Sequence, residues 1–153
     1  MKRASEWSCG EFTISTDKSR LDVALIREFL ATQSYWARGI PIETVRRSIE
    51  HALCFGVYAA DGRQAGFARV VTDHCTFAWL SDVFVLPEFR GRGISKRLME
   101  VIVAHPDLQG LRRVLLATND AHGLYAQFGF NPPANPERFL ERYEPDPYRP
   151  GPG

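Results

Sequence analysis

Apolar and polar residues alternate in EFTIST (residues 11–16), the period of a strand with one buried face. The spacing then changes. Leu21, Leu25, Ile26 and Phe29 fall on one side of a 3.6-residue repeat and predict a helix over 21–36. After the loop ARGIP, Pro41 occupies a first helical position, and Ile42, Val45 and Ile49 carry a second helical stripe. Residues 53–73 read as a β-hairpin, because Asp61-Gly62 supplies a two-residue turn between two apolar runs. Residues 75–86 are a third consecutive strand, rich in aromatic and branched side chains.

Helical spacing returns after residue 93. Ile94, Leu98, Val101 and Ile102 share one face, Lys96, Arg97 and Glu100 the other, and Pro106 ends the helix. RRVLLAT (112–118) reads as a buried strand. NDAHGLYAQFG (119–129) reads as a short helix, with Asn119 or Asp120 as its cap. RFLERY (138–143) has the pattern of a last strand, and EPDPYRPGPG that of a disordered or surface-draped tail. The order β-α-α-β-β-β-α-β-α-β predicts an α+β fold, with a mixed, mostly antiparallel sheet flanked by helices. One domain over 1–144 and a Pro/Gly-rich tail over 145–153 account for the chain.

Composition narrows this picture little. The 153 residues carry a formal net charge of +1, below the basic excess of a non-specific nucleic-acid binder. Cys9, Cys54 and Cys75 are widely spaced, so neither a metal site nor a disulfide framework is indicated. Free thiols, no apolar run of membrane-spanning length and no signal-peptide core make the cytoplasm the expected compartment.

The chemistry concentrates at FVLPEFRGRGISKRLM (84–99), where a strand passes through Arg90-Gly91-Arg92-Gly93 into a helix. The first turn of a helix has unpaired N–H groups at the positive end of its dipole. Glycines let an anion approach those groups closely, so the junction reads as a phosphate site. It is not a Walker A loop, and Lys96 breaks the dinucleotide fingerprint G-x-G-x-x-G.

VLPEFRGRGISKRLM resembles the acyl-CoA loop of the GNAT superfamily of N-acetyltransferases, Arg/Gln-x-x-Gly-x-Gly/Ala after Val-x-Pro. Arg90, Gly93 and Ser95 fall on its defining positions, with Val85 and Pro87 upstream; Ser95 replaces the usual Gly or Ala. TNDAHGLYAQFGF resembles the family's second block at Ala121, Leu124, Tyr125, Gly129 and Phe130, with Thr118 in place of asparagine. The resemblance spans about residues 77–130.

The resemblance implies a sheet splayed between strands 77–86 and 112–118, with acetyl-CoA in the gap and no metal. The pyrophosphate would lie on the backbone of Arg90, Gly91, Arg92, Gly93, Ile94 and Ser95, the pantetheine along Phe84 and Val85, and Thr118 beside the cofactor. Tyr125 matches the family's general acid. Asp82 resembles the acidic strand position of polyamine-type enzymes, as base or amine anchor; Asp73, Glu28 and Ser81 are further candidates. Tyr35 and Trp36 would wall the acceptor site. The expected activity is acetyl transfer to a small-molecule or protein amine, with a homodimer as an open option and no nucleic-acid or membrane partner, and a catalytically silent acyl-CoA-binding regulator is the alternative.

Overall fold

The structure, a computed structural model, describes residues 3–148. Six strands lie in chain order across one sheet: β1 (Glu6–Cys9), β2 (Phe12–Ser15), β3 (Leu53–Tyr58), β4 (Gln64–Thr72), β5 (Phe77–Val85) and β6 (Arg113–Leu115). Neighbours are antiparallel except β5 and β6, which are parallel and joined by the crossover helix α3 (Ile94–Ala104). The helices α1 (Val23–Thr32) and α2 (Ile42–Glu50) separate β2 from β3, and the short α4 (His122–Ala126) follows β6. This is the mixed, mostly antiparallel α+β architecture that the hydrophobic pattern predicts.

Alternation along the strands feeds two cores. Phe55, Val57, Ala68, Val70, Ala78 and Leu80 face α3, where Leu98, Met99 and Ile102 meet them. Cys54, Phe67 and Phe84 face the opposite side and pack on Ile26, Leu30, Val45 and Ile49 of α1 and α2. Phe84 stacks on Phe29, with centroids 4.0 Å apart.

One irregularity positions the site. Phe67 pairs with Phe84, but Arg69 pairs with Ser81, so β5 carries one extra residue against β4. Asp82 occupies this bulge at φ +53, a left-handed conformation that Asp tolerates better than most residues. The inserted residue inverts the alternation. Leu80 faces α3, and without the bulge Phe84 would too; instead Phe84 turns to α1 and Val85 to α3.

Several elements depart from the predicted ones. β1 was not anticipated: it is a four-residue edge strand, held by pairing with β2 and by Trp7 packing against Phe55. The first helix stops at Thr32, which leaves Tyr35 and Trp36 in the α1–α2 loop, and Pro41 caps α2 rather than opening it. Only residues 113–115 of the predicted strand 112–118 enter the ladder. α4 is five residues long and neither Asn119 nor Asp120 caps it: Ala121 holds the cap position, and the Thr118 hydroxyl accepts the Ala121 N–H at 3.1 Å. Residues 138–143 form no strand, because a 3-10 turn at Pro136–Arg138 sends the chain off the sheet. Within the predicted tail, Tyr148 packs against the α1–α2 core, while residues 149–153 lie outside the described residues.

Candidate active site

The ladder between β5 and β6 is three pairs long, Phe77 to Arg113 through Trp79 to Leu115. Beyond Trp79 the two strands separate, so the β6-facing edge of β5 from Leu80 to Phe84 has no partner on β6. Such an edge is a template for an extended ligand. Cavities open at both ends of this gap.

At one end lies a cavity of about 270 Å³ between Val85, Arg90, Gly91, Gly93 to Lys96, Leu124 and Gln127. Gly91 and Gly93 have φ +79 and +76, and a Cβ added to either would point into open space. Gly93 is the N-cap residue of α3 and supplies no side chain to satisfy the first turn. The N–H groups of residues 91–96 form no hydrogen bond to any described residue outside the helix ladder. The result is a cradle of main-chain donors at a helix N-terminus, shaped for a polyanion.

The two arginine side chains of this loop turn back onto the protein. Arg90 donates through Nε to the Val85 carbonyl at 3.0 Å and locks the loop to the end of β5. Arg92 pairs with Glu11 at 3.0 Å. Lys96 also lines the cavity, and its ammonium forms no hydrogen bond or ion pair with a described residue. Phe84 contributes backbone only, since its ring is buried in the core.

At the other end is a cavity of about 180 Å³, lined by Tyr35, Trp36, Trp79, Asp82, Thr118 and Tyr125, among others. Tyr125 is buried at 9% exposure, and its hydroxyl forms no hydrogen bond to a described residue. Burial pushes that hydroxyl up to about 12, with smaller pushes from Tyr35 and Asp120. The Tyr35 hydroxyl accepts the Asn119 N–H at 2.8 Å and so ties the α1–α2 loop to the β6–α4 loop. Tyr35 and Trp36 meet edge to face at 5.0 Å.

Asp82 is enclosed. Its Oδ1 accepts the Trp36 Nε1–H at 2.8 Å, and its Oδ2 accepts the Arg69 Nε–H at 2.8 Å. Arg69 also reaches Ser81 Oγ at 3.3 Å. This arrangement holds the Trp36 indole against the cavity. Arg69 could not be found from sequence, because its approach depends on the shifted register between β4 and β5; Trp79, a third aromatic wall, was hidden inside an ordinary strand pattern. The other acidic candidates lie elsewhere. Asp73 accepts hydrogen bonds from Thr76, Cys75 and Phe77 in the β4–β5 turn, which hold its carboxyl below the usual carboxylate range. Glu28 is exposed on α1, outside the cavity lining.

No group of His, Cys, Asp and Glu among the described residues is placed to hold a metal ion. None of the helices there is long and apolar enough to cross a membrane.

Residues 51–132 match the acetyltransferase (GNAT) domain family. A GNAT-family protein of Xanthomonas campestris has a crystal structure similar to this one, with a TM-score of 0.90 and 55% identity over 94% of this chain and 100% of that chain. An acetyltransferase-named protein of Gibberella zeae is 29% identical over 146 residues, 82% of this chain and 81% of its own. The chloroplastic serotonin N-acetyltransferase 2 of Oryza sativa is 30% identical over 131 residues, 82% of this chain and 64% of its own. The chain belongs to the GNAT acetyltransferase family.

Proposed function

We propose that the protein transfers an acetyl group from acetyl-CoA to a primary amine, by direct attack of the amine on the thioester. The observation that carries this reading is the alignment of three features along one gap. These are the main-chain anion cradle at 91–96, the unpaired edge of β5, and the unpartnered Tyr125 hydroxyl in an aromatic cavity. The cradle suits the CoA phosphates, with Lys96 at its mouth. The β5 edge at Phe84 and Val85 suits the pantetheine amides. An N–H near Val85 would polarise the acetyl carbonyl as negative charge develops on its oxygen.

The incoming amine must lose a proton before or during attack, since a free primary amine has a pKa of about 10. Its nitrogen forms a bond to the acetyl carbon, and the carbon–sulfur bond breaks. Tyr125 gives its proton to the departing thiolate and regains one from solvent. Asp82, already braced by Arg69 and Trp36, serves the acceptor side, by orienting the Trp36 wall and by attracting the amine or relaying its proton. Thr118 sets the β6–α4 turn that carries Tyr125 and borders the acyl end of the gap.

Tyr35, Trp36 and Trp79 make the acceptor cavity suitable for an amine carried on a flat apolar group. The rice relative's name gives serotonin, an amine of that kind, as its acceptor. The direct test is thiol release from acetyl-CoA across a panel of arylalkylamines, polyamines, amino sugars and peptide N-termini. Turnover with at least one amine is expected. Tight acetyl-CoA binding with no turnover on any of them would leave a silent acyl-CoA-binding domain instead.

A further inference from the structure

The cavity of about 180 Å³ that holds Tyr125 is lined by two carboxylates, Asp82 and Asp120, and by no lysine, arginine or histidine among the described residues. The two carboxylates are not equivalent. Asp82 is buried and its charge is matched by Arg69, while its other oxygen accepts the Trp36 indole N–H. Asp120 is exposed, and its carboxylate forms no hydrogen bond or ion pair with a described residue. One uncompensated negative charge therefore borders the aromatic walls of the cavity.

The turn that carries Asp120 is tied down at several points. The Tyr35 hydroxyl accepts the Asn119 N–H at 2.8 Å, and the Thr118 hydroxyl accepts the N–H groups of Asp120 at 3.4 Å and Ala121 at 3.1 Å. Aspartate just before a helix commonly caps it, yet this carboxylate makes no cap bond to α4. Its charge also reaches Tyr125: the hydroxyl there is pushed up first by burial, then by Tyr35 and Asp120. A fixed, unpartnered carboxylate and a buried hydroxyl thus border the same space.

On the acceptor reading of this cavity, we propose that Asp120 anchors the acceptor's ammonium group, and that the acceptor is an arylalkylamine with one positive charge and no acidic substituent. The aromatic group lies against Trp36 and Trp79, and the ammonium pairs with Asp120. Asp120 adds no step to the transfer; it holds the ammonium before its proton is lost. Asp82, already neutralised, keeps the tasks of holding Trp36 and relaying that proton. A carboxylate on the acceptor would meet Asp120 with no lining cation to offset it, and a second ammonium would find no second free carboxylate.

Calorimetric titration under saturating CoA, which carries no acetyl group, reads acceptor binding without turnover. Phenethylamine should bind the parent about tenfold or more tightly than either phenylalanine or uncharged phenethyl alcohol. Asp120→Asn should weaken phenethylamine by about tenfold or more and leave phenethyl alcohol unchanged, which also shows that the cavity is intact. Asp120→Ala should do the same. Equal parental affinity for the amine and the alcohol, or for the amine and phenylalanine, overturns the proposal. So does an Asp120→Asn protein that binds phenethylamine like the parent, or a parent that does not bind it. Failure of the transfer reading looks different. Binding through Asp120 with no turnover on any amine would remove the enzyme and keep the anchor; turnover whose KM ignores Asp120→Asn would do the reverse.

Discussion

Tyr125 and Asp82 illustrate how far a single residue type determines its use. Both are buried and both face the same cavity. The Tyr125 hydroxyl has no hydrogen-bond partner among the described residues and is pushed up to about 12, so it stays protonated throughout the neutral range and holds a proton to donate. Tyr125→Phe removes one oxygen and keeps the ring packing. Turnover under saturating acetyl-CoA should fall about 100-fold or more, with CoA affinity and melting temperature near the parent's. A folded variant with parental turnover would mean that water protonates the thiolate or that CoA release limits the rate. Asp82 is instead engaged through both oxygens. Asp82→Asn leaves Arg69 without a charge partner at 18% side-chain exposure, which should cost about 3 kcal/mol of stability. It should also loosen Trp36 and raise the acceptor KM or shift the pH–rate profile, while CoA affinity stays nearly constant. Unchanged acceptor kinetics and pH profile together would remove Asp82 from the acceptor site.

At the scale of elements, the strand–loop–helix unit 84–99 shows why glycines were legible and arginines were not. A left-handed residue at a helix N-terminus needs glycine for its backbone alone, so the sequence states the geometry. An arginine states only a charge, and its partner depends on tertiary approach; Arg90 and Arg92 turn back to Val85 and Glu11. Gly93→Val places a β-branched side chain at φ +76 on a residue that lines the cradle. Calorimetric titration should show CoA affinity reduced at least tenfold, alongside about 1–2 kcal/mol of strain. Retained affinity in a folded Gly93→Val protein would place the phosphates elsewhere. The bulge at Asp82 was illegible for a related reason. Residues 75–86 read as one uninterrupted strand, and nothing local marks the extra residue that turns Phe84 to α1.

Across the whole molecule, periodicity was enough for the two-sided sheet, because alternation and helical stripes are consequences of burying one face. It failed where pairing, not pattern, decides: β1 exists because β2 offers an edge, and 138–143 stays unpaired because its turn leads it away. Burial on both faces also sets a pH response. Tyr58 and Tyr125 are pushed up to about 12 and Cys54 to about 11, each chiefly by desolvation, and Tyr148 and Cys9 are raised in the same direction. In the unfolded chain these groups titrate near their ordinary values of 10.0 for tyrosine and 9.0 for cysteine. Well below pH 9 both states hold the protons and the stability is complete. As pH rises from about 9 towards 12 the unfolded chain releases protons that the folded one retains, so the folded state loses ground. Urea unfolding midpoints should therefore be lower at pH 11 than at pH 8. Tyr58 separates this from a general alkaline effect. Its hydroxyl is buried without a hydrogen-bond partner among the described residues, so Tyr58→Phe should cost little at pH 8 and should flatten part of the decline. Midpoints that hold steady to pH 11, or a Tyr58→Phe slope equal to the parent's, would show that these buried hydroxyls do not control the alkaline limit of the fold.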